Sequence, residues 1–123
     1  MKHIKLTLLF TVFMSMVVIA SQAHDIEVPN SDGVIIYYNY TNNNTELSVT
    51  YEGNTFYDEN NYSGSIVIPE SVIYNGNTYM VTDIDINAFT ACNNLTAITI
   101  PKSIKKIYDH SFTGCSWSVF RDL

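Results

Sequence analysis

Cys92 and Cys115 are the only cysteines in the sequence, and they stand 23 residues apart (115 − 92). In an exported chain an even cysteine count invites a disulfide. Ile84 and Ile107, and Phe89 and Phe112, share the same interval, and Ala88 maps by it onto Ser111, another small residue. A fixed period of this size places the two cysteines on adjacent turns, about 5 Å apart and pointing the same way. A disulfide needs Cβ atoms roughly 3.5–4.5 Å apart with suitable vectors. Two states stand: a pair of buried thiols packed as small hydrophobes, which the spacing favours, and a disulfide.

The other polar groups offer less. His24 and His110 have no Cys, Asp or Glu at zinc-ligand spacing. Asp83 and Asp85 bracket Ile84 and point to one side of an extended segment, but lack the glycine and closing glutamate of a calcium loop. A solvated turn is the reading there, and a solvated surface for Asp58 and Glu59. Of nine tyrosines, Tyr37, Tyr38, Tyr40, Tyr51, Tyr57 and Tyr62 precede Ser63. Tyrosine suits both a strand and a binding surface. Asn39, Asn43, Asn61 and Asn94 open glycosylation sequons, relevant only in a host that glycosylates exported chains. There is no nucleophile elbow, phosphate loop or zinc motif. The expectation is no enzyme, no catalytic residue, no metal and no cofactor.

The elements that hold these residues follow from the repeat. Ile66-Val67-Ile68-Pro69-Glu70-Ser71-Val72 matches Ile98-Thr99-Ile100-Pro101-Lys102-Ser103-Ile104 at an offset of 32 (98 − 66). The nine extra residues contain Asn75-Gly76, a strong hairpin signal. Each Ile-x-Ile is a short strand with its middle residue facing out, ended by proline. Asn87 to Cys92 and His110 to Cys115 are expected as short helical or 3-10 turns, with Phe89 and Phe112 stacked in the core. Upstream, His24 to Gly33 reads as an irregular lead-in. Val34 to Tyr40 and Leu47 to Tyr51 read as strands, and Thr55 to Tyr57 as a possible third.

The run Leu95-x-x-Ile98-x-Ile100-Pro101-x-x-Ile104-x-x-Ile107, then Ser111-Phe112-x-Gly114-Cys115, resembles the BspA-type leucine-rich repeat of bacterial surface proteins. That repeat runs close to L-x-x-I-x-I-P-x-x-V-x-x-I-x-x-x-A-F-x-x-C. The likeness covers about Ser63 to Trp117. It implies a mainly β fold: a leucine-rich-repeat solenoid segment of parallel strands and short helical or 3-10 turns, with an N-terminal antiparallel β-meander cap. The expected structural core is Ile66, Ile68, Ile84, Phe89, Cys92, Leu95, Ile98, Ile100, Ile104, Ile107, Phe112 and Cys115. The outward sheet residues Val67, Ala97 and Thr99 are the expected binding face.

Three segments are expected: a signal peptide at 1–23, a β-rich cap at 24–62, and about two repeats at 63–123, the last incomplete. Lys2 and Lys5 precede the apolar run Leu6 to Ala20, too short for an ordinary membrane span, and Ser21-Gln22-Ala23 fits a cleavage site. Cleavage there leaves 100 residues (123 − 23) with a net charge of 4 − 12 = −8 and no membrane span. Between His24 and Pro101 there is no Lys or Arg, which argues against nucleic acid and anionic lipid. The expected location is secreted or at the cell surface.

The resemblance implies a recognition module of adhesion type for an extracellular protein or glycan. The alternatives are a structural or self-associating module without a specific ligand, or a truncated, non-functional fragment of a longer repeat protein. After Cys115 only Arg121 and Asp122 are charged, and Trp117, Phe120 and Leu123 lie among them, so self-association through the C-terminal end, or partial disorder after about Cys115, is expected. The export reading has a direct check. Amino-terminal sequencing of exported protein should return His24, and a chain beginning at Met1 would refute it.

Overall fold

The computed structural model describes residues 24–53 and 62–115. The expected signal peptide, the expected strand Thr55 to Tyr57, the pair Asp58 and Glu59, and the segment holding Trp117, Phe120 and Leu123 lie outside them. The described part is mainly β. It comprises β1 (Ile26–Pro29), β2 (Ile35–Thr41), β3 (Glu46–Thr50), β4 (Gly64–Val67), β5 (Ser71–Tyr74), β6 (Asn77–Ile84), β7 (Leu95–Thr99) and β8 (Lys106–Ile107). One sheet runs β1-β2-β3-β6-β5, with β8 also beside β6, and a second pairs β4 with β7.

β1, β2 and β3 form an antiparallel meander. The lead-in expected to be irregular therefore contains a strand, which corrects that reading. Ile26 and Val28 pair opposite Tyr38 and Ile36, so the alternation Asp25-Ile26-Glu27-Val28 puts apolar side chains inward and carboxylates outward. Asn30 then closes the turn, its Oδ1 accepting from the N–H groups of Asp32 and Val34. Between β2 and β3, Asn42, Asn43 and Asn44 all have positive φ, a conformation asparagine tolerates better than most residues.

From β3 onward the pairing is largely parallel. β3 pairs with β6, β6 with β8, and β4 with β7. The sequence offsets give the register: Ile66 lies opposite Ile98 and Ile84 opposite Ile107. Asn75 and Gly76 turn the β5–β6 hairpin with φ of 50° and 80°, the left-handed pair of a type I′ turn. A bulge near Thr82 shifts the β3–β6 register, so that Leu47 faces Val81 while Val49 faces Ile84. All four of these side chains are buried.

The segments after β6 and β8 are not helical. Asn87 and Ala91 have φ of 62° and 60°, and their counterparts 23 residues on, His110 and Gly114, have 60° and 80°. These left-handed residues interrupt any helix and leave linked single turns. The geometry turns N–H groups sideways. Phe89 N–H donates to the Ser111 carbonyl at 2.7 Å and Ala91 N–H to that of Thr113 at 2.8 Å. A helix would have used those donors internally.

An aromatic chain runs through the interior. His24 packs on Tyr37 (centroids 4.8 Å), Tyr37 on Tyr62 (5.7 Å), Tyr62 on Phe89 (4.9 Å), and Phe89 stacks on Phe112 at 5.3 Å with ring planes 4° apart. The Tyr62 hydroxyl accepts from Tyr37 N–H at 3.0 Å and donates to the Thr50 carbonyl at 2.8 Å. Tyr37 and Thr50 are opposite residues of β2 and β3, so the phenol sits between them as a rung of the ladder.

Of the expected core, Ile66, Ile68, Ile84, Phe89, Cys92, Leu95 and Ile98 are buried. Ile100, Ile104, Phe112 and Cys115 are partly buried against it. Ile107 is 46% exposed, which corrects its assignment to the core. The reason is position. Ile84 is covered by β8, whereas no described strand stacks beyond Ile107.

Three substitutions test this packing. Tyr62→Phe leaves a buried N–H and carbonyl without their bridge and should cost roughly 1–3 kcal/mol in urea unfolding. Tyr38 is also buried but its hydroxyl has no partner among the described residues, so Tyr38→Phe should leave stability unchanged or raise it by about 1 kcal/mol. Ala91 holds a left-handed conformation where its counterpart is Gly114, so Ala91→Gly should stabilise by about 1 kcal/mol.

Candidate binding surfaces

Two surfaces offer themselves. The first is the outer face of β4 and β7. Ser65 lies opposite Ala97 and Val67 opposite Thr99. The register thus brings the expected binding residues Val67, Ala97 and Thr99 onto one face, with Ser65 beside them. Thr99 and Ser65 are exposed, and Val67 and Ala97 are half-buried. None is charged, and all have short side chains. The Asn30 amide donates to the Val67 carbonyl at 3.0 Å and ties the meander to one border of this face.

The second surface is a cleft of about 260 Å³ lined by Val34, Ile35, Tyr37, Glu52, Tyr62 and Ser63. Sequence reasoning did not find it, because its walls come from three separate stretches. Tyr37 supplies one wall. Its ionisation is pushed up to about 12, first by burial, then by the charge and hydrogen bond of Glu52 and the charge of Glu27. Tyr62 supplies another, and burial holds its phenol well above the ordinary range. His24 packs behind Tyr37. Its Nδ1 lies 2.7 Å from the Glu52 carbonyl, so this nitrogen carries the proton, and its Nε2 lies 3.4 Å from a Glu27 carboxylate oxygen. The clustering of tyrosines before Ser63 was the only sequence signal for this site.

The other candidates have structural partners. Asp85 accepts from Ser48 Oγ at 3.0 Å and Asn39 Nδ2 at 3.3 Å, joining β2, β3 and the end of β6. His110 is exposed in a turn, with Nδ1 3.3 Å from Thr113 Oγ1. Among the described residues no group of His, Cys, Asp or Glu is arranged to hold a metal ion. No helix among them is long and apolar enough to cross a membrane. Tyr40 and Tyr79 meet edge to face at 5.4 Å, with both rings half-buried.

Cys92 and Cys115 are free thiols. They hydrogen-bond one another; that bond and burial push Cys92 far above the usual thiol range, while the same bond lowers Cys115. Cys115 Sγ also lies 2.8 Å from the Phe89 carbonyl. The pair therefore packs on adjacent turns, as the interval of 23 residues requires (115 − 92).

Known proteins can be set beside this geometry. No curated protein matches the chain. Among solved structures, the chain is similar to a leucine-rich repeat protein from Bacteroides ovatus, with 28% identity and a TM-score of 0.52 over 63% of this chain and 19% of that one. A leucine rich cell surface protein from Faecalibacterium prausnitzii gives 17% identity and a TM-score of 0.44 over 73% of this chain and 28% of that one. The chain thus spans less than a third of either structure. The family model described as BspA type Leucine rich repeat region (6 copies) matches residues 50–121, more than half of the chain. With the parallel register and the paired turns already in view, the chain belongs to the BspA-type leucine-rich repeat family.

Proposed function

We propose that this chain is an exported recognition module that binds a protein or glycan at the cell surface or outside the cell, in the manner of an adhesion domain. Binding, not catalysis, is its activity. The observation that carries the proposal is the β4–β7 face, where Ser65, Val67, Ala97 and Thr99 form a short-chained, uncharged strip on parallel strands. Such a strip lets a large partner approach the backbone closely. Family membership supports the reading, since repeat proteins offer extended surfaces of this kind. In the same proposal the parallel stacks β3-β6-β8 and β4-β7 are opposite sides of one solenoid. The meander of β1 to β3 is its cap within residues 24–62, and the repeats occupy 63–123.

One observation favours a second reading, self-association. Ile107 is 46% exposed, and Ile100, Ile104 and Phe112 are only partly buried. In this reading a second copy covers these apolar side chains.

An array of immobilised extracellular proteins and glycans separates the two. The first reading expects saturable binding that the double variant Ala97→Arg, Thr99→Arg weakens by about tenfold or more. Both side chains face outward, so the melting temperature should hold. Equal binding by the variant, or no binding by the parent chain, overturns the first reading. Concentration-dependent light scattering without array binding supports the second.

A further inference from the structure

β5 ends its path in the larger sheet, and among the described residues its strand partner is β6 alone. Val81 N–H donates to the Glu70 carbonyl at 2.9 Å. Bonded and non-bonded pairs alternate along an antiparallel ladder. Val72–Tyr79 and Tyr74–Asn77 are therefore bonded pairs, whereas Ser71–Met80 and Ile73–Thr78 are not. The N–H and C=O groups of Ser71 and Ile73 thus point away from β6, along the outer edge of the sheet. The side chains of these two residues lie on the outer face, opposite Met80 and Thr78. Ile73 is 71% exposed and Met80 45%.

The two edges of this sheet differ. At the other, β1 follows Asp25, carries Glu27 and ends in Pro29. Charge and proline are what deter an added strand. β5 reads Ser71-Val72-Ile73-Tyr74, with no charge and no proline. Its β-branched residues favour the extended backbone that a further strand pairs with.

We propose that the β5 edge pairs antiparallel with β5 of a second copy of this chain, joining the two larger sheets across a two-fold axis. The strand is complementary to itself. With the axis at Val72, Ser71 lies opposite Ile73 of the second copy, and Ile73 opposite the second copy's Ser71. Every outward N–H and C=O of these residues then has a partner. A large side chain faces a small one, and the two Ile73 side chains are diagonal neighbours. Glu70 falls opposite Tyr74, so no like charges meet directly. The formal net charge of −6 makes two copies repel at a distance. With so short a seam, the dimer has a Kd on the order of 0.1–1 mM, and added salt tightens it.

The seam lies apart from Ile107 and from the β4–β7 face, so it holds with either role proposed above. Sedimentation equilibrium up to about 1 mM, with isotope-filtered NMR on mixed labelled and unlabelled chain, tests it. The expected result is a concentration-dependent dimer with a contact between the two Val72 Hα atoms, the close approach of a non-bonded pair. Ile73→Pro removes an outward N–H and no bond to β6, so it should weaken the dimer by about tenfold or more while the melting temperature holds. Ile73→Lys, which puts charge on the edge, should weaken it as well. Ile107→Lys should leave it intact. A monomer throughout the range, or an undiminished dimer in both Ile73 variants, overturns the proposal. Association lost only in Ile107→Lys overturns it too and assigns the contact to the end of the stack. Ser71 and Ile73 amides that shift only when a protein from the array binds give the edge to that protein and overturn self-pairing.

Discussion

The Tyr62 phenol is the joint on which the fold depends. Its hydroxyl replaces one rung between β2 and β3, and its ring lies against Phe89 in the first stacked turn. The meander alone is a small three-stranded sheet, and the parallel strands alone are short. A buried aromatic carries a large apolar area, and a satisfied hydroxyl lets it sit among backbone groups at little cost. Tyr62 thereby couples two kinds of structure: one held by antiparallel hairpins, the other by repetition. The same residue forms a wall of the cleft, so the interaction that stabilises the chain also shapes its most concave surface.

Repetition was the legible part of the sequence. The intervals linking Ile66 to Ile98 and Ile84 to Ile107 became strand registers without change. A residue stacked on its own counterpart needs the same shape at the same spacing, so the physics writes itself into the letters. Asn75-Gly76 was legible for a related reason, since few residue pairs accept two left-handed conformations in succession. The outward alignment of Val67, Ala97 and Thr99 followed from strand alternation.

What was not legible arose from contacts between unlike segments. β1 is four residues long and ends in proline, so its alternation was too brief to stand out before its partner β2 was known. The segments Asn87 to Cys92 and His110 to Cys115 are expected as short helical or 3-10 turns; the left-handed residues that prevent a helix include Ala91, whose type carries no such signal. Burial of Ile107 depends on what stacks above it, which the repeat pattern cannot state for its last member. The cleft joins Tyr37, Glu52 and Tyr62, which share no motif and meet only after the meander has formed.

The hydrogen bonds that pass sideways from Phe89 and Ala91 to Ser111 and Thr113 have a mechanical consequence. They lie along the direction in which the turns are stacked, as do the bonds of the parallel strands. A tether pulling on the last turn in that direction meets them one after another, and each rung releases before the next is loaded. A tether pulling across the stack stretches many of them together. A chain built this way yields gradually to force from one direction and resists as a block from another.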